Sequence, residues 1–75
     1  MPKLPRVKPQ KVLSALLRAG FYAHHQSGSH INLRHKTKSY LHVIIPNHNR
    51  ELAPKTLKTI IAQSGLNIEE FRKLL

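Results

Sequence analysis

The chain has no cysteine, no tryptophan and no aspartate, and its only acids are Glu51, Glu69 and Glu70. Without cysteine, neither disulfides nor thiolate-bound metals can brace the fold. That composition suits a reducing compartment, and the cytoplasm is the expected location. Hard divalent cations need clustered oxygen ligands, and this chain has few to offer. Any cleavage of nucleic acid is therefore expected to proceed without a metal, and no cofactor is expected. No apolar run is long enough to span a membrane. The start, Met1 to Arg6, is basic but lacks the apolar stretch of a signal peptide. Aromatics are few: Phe21, Tyr22, Tyr40 and Phe71. Phe21 and Phe71 read as core. Recognition of a single strand by stacking is therefore disfavoured, and recognition of backbone and shape is favoured.

Positive charge is plentiful. Thirteen Lys and Arg residues face three acids, for a formal net charge of +10 across 75 residues. A small surface so charged repels itself and favours an anionic partner, either nucleic acid or an acidic protein. The length allows one domain with a thin core. Residues 1–8 read as a basic, proline-containing lead, and residues 9–75 as the domain.

Pattern along the chain predicts an α+β fold. A first helix is expected from Pro9 to about Ala19, stopped by Gly20, with Val12, Leu13, Leu16 and Leu17 on its apolar stripe. A strand over 21–26 would place Phe21, Ala23 and His25 on one face. Ser27-Gly28 signals a turn. The next strand, about Ser29 to His35, alternates strictly. Ile31 and Leu33 point one way, and His30, Asn32 and Arg34 the other. A third strand is expected over Tyr40 to Ile45 and ends at Pro46. A second helix runs from about Pro54 to Gly65 with Leu57, Ile60 and Ile61 inward. Asn67-Ile68-Glu69-Glu70 has the form of a capping box that opens a short last helix, which gives Glu69 and Glu70 a structural task. Short connections imply an antiparallel three-stranded sheet with both main helices on one face. His30, Asn32 and Arg34 would then lie on the uncovered face.

Six histidines are available: His24, His25, His30, His35, His42 and His48. No pair has HxH or HxxxH spacing, so a zinc site is not expected. An imidazole can exchange protons near neutral pH. RNA carries its own nucleophile, the 2′-hydroxyl, and a base that takes its proton drives attack on the adjacent phosphate without a metal. Lys or Arg can then stabilise charge on the phosphate oxygens. His30 is distinguished by its place after Gly28-Ser29 at a strand start, where a tight turn would hold the ring. His42 and His24 are candidates for the same face. Lys55 and Lys58, in the first turns of the second helix, suit phosphate contact beside the helix N-terminus.

Four stretches together resemble the HicA toxin family. They are Leu17-Arg18-Ala19-Gly20-Phe21, Gln26-Ser27-Gly28-Ser29-His30, Val43-Ile44-Ile45-Pro46-Asn47-His48, and Glu51 to Ile61 followed by Gln63-Ser64-Gly65-Leu66. The resemblance implies a fold similar to the double-stranded-RNA-binding domain. It also implies the toxin of a type II toxin–antitoxin pair, an endoribonuclease that cleaves mRNA with His30 as catalytic residue. A HicB-type antitoxin would neutralise it by covering the active site. Gly28, Ser29, His25, Arg34, Lys55 and Lys58 are the residues expected to bind RNA. Family members commonly carry arginine where this chain has His25, and glycine where it has Lys55. The alternative expectation is a noncatalytic RNA-binding module of similar fold.

Overall fold

The computed structural model describes residues 4–75, so the first three residues of the expected lead lie outside it. The order of elements is α1 (Pro9–Arg18), β1 (Phe21–Ser27), β2 (His30–His35), β3 (His42–Pro46), α2 (Pro54–Ser64) and α3 (Ile68–Lys73). Each helix starts and stops where local chemistry dictates. Pro9 and Pro54 occupy the first turns of α1 and α2, where a missing N–H costs nothing. Gly65 caps the end of α2. At α3 the capping box is complete. Asn67 Oδ1 accepts from the Glu70 N–H at 2.7 Å, and the Asn67 N–H donates to Glu70 Oε1 at 2.9 Å.

The sheet is antiparallel, in the order β1-β2-β3. On β2 and β3 the alternation is as expected, with Ile31, Leu33, Val43 and Ile45 buried on one face. They join Val12, Ala15 and Leu16 of α1, Leu57, Ile60 and Ile61 of α2, and Phe71 of α3 in one core. Both main helices therefore bury their stripes on the same side of the sheet, and the fold is a two-layer α+β arrangement of the double-stranded-RNA-binding-domain type. Val7 also belongs to this core, and its carbonyl accepts the Leu52 N–H at 2.9 Å. Arg18 ties α1 to the end of the chain, its Nε donating to the Leu74 carbonyl at 2.8 Å and its Nη2 to the same oxygen.

Three local expectations are corrected. The stripe of α1 is rotated, with Ala15 buried and Leu17 47% exposed. Pro9, Val12, Ala15 and Leu16 fall on a narrower arc than a stripe containing both Leu13 and Leu17. The strand β3 starts at His42 rather than Tyr40. The chain is still turning there, and the Leu41 N–H donates to the Lys38 carbonyl at 3.0 Å. In β1 the pairing slips between Ala23 and His25, a bulge that opposes two residues to one. Ala23 stays opposite Leu33, but His25 comes opposite Asn32 and so changes face. An edge strand accommodates this because one of its sides has no ladder to break.

Candidate active site on the open sheet face

His30 begins β2 directly after a two-residue turn made by Gly28 and Ser29. Gly28 has φ +50, and its missing Cβ would face open space, so glycine is required there by backbone conformation and not by crowding. A positive φ at the first turn position only is the pattern of a type II′ hairpin, whose twist suits the flanking strands. The turn is also tied to the third strand, since the Asn47 N–H donates to the Ser29 carbonyl. Ser29 Oγ lies 3.2 Å from His30 Nδ1, within hydrogen-bonding distance. The ring is thereby oriented while remaining exposed.

In register, His30 pairs with Ser27 on one side and Pro46 on the other. Beyond Pro46 the sheet ends, and α2 forms the wall of a cleft of about 320 Å³. His30, Ile44 and Pro46 line one side, and Lys55, Thr59 and Gln63 the other. Gln63 holds the two walls together, its Oε1 accepting the Ile44 N–H of the free strand edge at 3.2 Å. Lys55 stands one residue inside an α2 N-terminus that has no side-chain cap. Its ammonium and the free N–H groups of that turn give the cleft a positive end suited to phosphate. The spacing 55, 59, 63 puts all three wall residues on one helical face, a signal available from α2's periodicity.

The remaining expected residues divide. Arg34 is on the same open face, four residues along β2 and therefore about 13 Å from His30. The bulge carries His25 to that face, opposite Asn32. Lys58 is not brought to the cleft. It lines a separate apolar groove with Ile61, Ala62, Leu66 and Ile68. His42 is on the open face, where its Nε2 and Asn32 Oδ1 are 3.1 Å apart. Two other histidines hold loops. His48 Nδ1 accepts the Arg50 N–H at 3.1 Å. His35 Nδ1 accepts from the Thr37 and Lys38 N–H groups, and its Nε2 faces the Ala19 carbonyl at 3.0 Å. Of the three placed by such bonds, none shares His30's combination of exposure and a lysine lining the same cleft. Among the described residues, no three His, Asp or Glu side chains gather as a metal site would require. No helix among them is long and apolar enough to cross a membrane.

No curated protein matches the chain. The family described as HicA toxin of bacterial toxin-antitoxin does match, over residues 9–66, a span that runs from the first residue of α1 past the end of α2 and includes the turn, His30 and both walls of the cleft. The chain belongs to the HicA toxin family.

Proposed function

We propose that this chain is a metal-independent endoribonuclease, the toxin of a type II pair, which cuts mRNA in the cytoplasm with His30 as its catalytic residue. The observation that carries the reading is the pairing of an exposed, turn-anchored imidazole with Lys55 in one cleft. His30 takes the proton of the 2′-hydroxyl. The freed oxygen forms a bond to the adjacent phosphorus as the bond from phosphorus to the 5′-oxygen breaks, and the departing oxygen takes a proton from water, to which His30 afterwards returns the one it removed. The products are a 2′,3′-cyclic phosphate and a 5′-hydroxyl. Lys55 and the α2 N-terminus stabilise the negative charge that grows on the phosphate oxygens. Ser29 holds the ring's other nitrogen and so sets which one faces the RNA. Gly28 supplies the turn, and His25 and Arg34 bind the strand further along the face.

A HicB-type antitoxin would neutralise the activity by covering the cleft. An acidic surface is the fitting complement to a chain of charge +10.

The test is His30→Ala, assayed for transcript cleavage and for growth arrest on expression. Both should vanish while the circular dichroism spectrum and RNA binding persist, and chelator should leave the parent's cutting intact. Equal cutting by the variant would remove His30 from the mechanism. A parent that binds RNA without cutting it would identify a noncatalytic binding module of the same fold.

A further inference from the structure

The uncovered face of the sheet gathers more rings than the composition suggests. The ladder sets Tyr22, Arg34 and His42 in one cross-strand row. Because of the bulge, His25, Asn32 and Ile44 form the next, and Ser27, His30 and Pro46 the last. The rings of Tyr22 and His24 meet edge to face at 6.3 Å, which brings His24 into the same patch. Tyr22, His24, His25 and His30 are exposed, and Arg34 and His42 half-buried. Both main helices pack on the opposite side, so no element among the described residues covers this surface. None of the three acids lies on it: Glu51 is in the loop before α2, and Glu69 and Glu70 are in the first turn of α3.

We propose that this face is a binding track for single-stranded RNA, with bases stacked on Tyr22 and His24 and a backbone phosphate held by Arg34, leading the strand to His30. The inference rests on the endoribonuclease reading and names how its substrate is held. Rows two residues apart on β2 are about 6.6 Å apart, so the three rows offer successive steps for a short stretch of strand. Exposed rings interleaved with a cation suit the π-faces of unpaired bases. Bases inside a duplex have those faces already occupied, and an A-form helix offers a protein mainly backbone and groove shape. The chain's excess of thirteen Lys and Arg over three acids supplies the long-range attraction. Four aromatic residues, two of them in the core, do not indicate such a platform in the sequence, because His25 joins it only through the bulge and the cross-strand rows form only through the register.

The chain has two tyrosines and no tryptophan, which makes Tyr22 its own reporter. In a His30→Ala, Tyr40→Phe protein, Tyr22 is the sole tyrosine, and RNA is not consumed. A short oligouridine should quench its fluorescence on binding, and the same strand annealed to its complement should not. Adding Tyr22→Leu should weaken oligouridine binding about 5- to 100-fold, as loss of a stacked base does. Tyr22→Phe should bind normally, and His24→Ala, read through the Tyr22 signal, guards against a folding defect in the leucine variant. Binding without quenching, equal quenching by duplex, or concentration-dependent quenching without RNA would each overturn the track. Cleavage is measured separately on the protein with His30 intact. Cutting with no quenching sinks the track and leaves the endoribonuclease, whereas quenching with no cutting supports the track and sinks the enzyme.

Discussion

His30 and Ser29 illustrate how little would separate a surface histidine from the proposed catalytic one. The ring is presented by its turn, and among the described residues the side chain bonded to it is the neighbouring hydroxyl at 3.2 Å. Ser29→Ala should leave the turn intact, because the Ser29 carbonyl still receives the Asn47 N–H. The expected result is a fall in kcat of about tenfold, equivalent to one hydrogen bond of about 1.4 kcal/mol, with KM nearly unchanged. A changed KM with constant kcat would instead make the hydroxyl an RNA contact. Gly20 presents a different case. Its φ is +100, and a Cβ there would come within 2.8 Å of His35 Nε2. The imidazole cannot retreat, because it bonds to the loop at 35–38 and meets the Phe21 ring edge-on at 4.9 Å. Gly20→Ala should therefore cost more than backbone strain alone, about 2–3 kcal/mol, read as a shift in the urea midpoint.

At the scale of elements, α3 has six residues, too few to be stable by hydrogen bonding alone. It is held by the capping box at one end, the Arg18 fork at the other, and the fully buried ring of Phe71 between them. Asn67→Ala removes one anchor and should lower stability by about 1 kcal/mol. Phe71→Ala empties a core site and should lower it by about 3–5 kcal/mol, a large fraction of what a domain this small possesses. Thermal unfolding of the two variants should rank in that order. A reversed order would mean that α3 contributes through its cap and not through its ring. On α2, the face at 55, 59 and 63 serves the cleft while Leu57, Ile60 and Ile61 serve the core, so one helix supplies both fold and site.

The whole molecule is a single layer of helices on a single sheet, only 17 Å across its shortest dimension. So thin a body leaves one sheet face for function and spreads its charge of +10 over a small surface. RNA affinity should fall steeply with salt, since each phosphate neutralised on a single strand contributes about −0.7 to the slope of log affinity against log salt. Lys55→Gln should reduce the magnitude of that slope by about the same amount. An unchanged slope would place Lys55 away from the phosphates.

Much of this protein follows from residue order alone. The prolines at the starts of α1 and α2, the glycines past their ends, the Asn67–Glu70 box and the alternation of β2 are local signals, because helix entry, helix exit and strand pleat depend on near neighbours. Those signals also sufficed to put His30, Asn32 and Arg34 on the face away from Ile31 and Leu33. Contacts between distant segments were not encoded so simply. The rotation of α1 that buries Ala15 instead of Leu17 answers to the shape of the sheet beneath it. The bulge that turns His25 over answers to the pairing of β1 with β2, which no periodicity within β1 records. Lys55 and Lys58 look alike in sequence, three residues apart on one helix. Only the seating of α2 against the edge of β3 brings the first into the cleft that His30 lines and leaves the second in another groove.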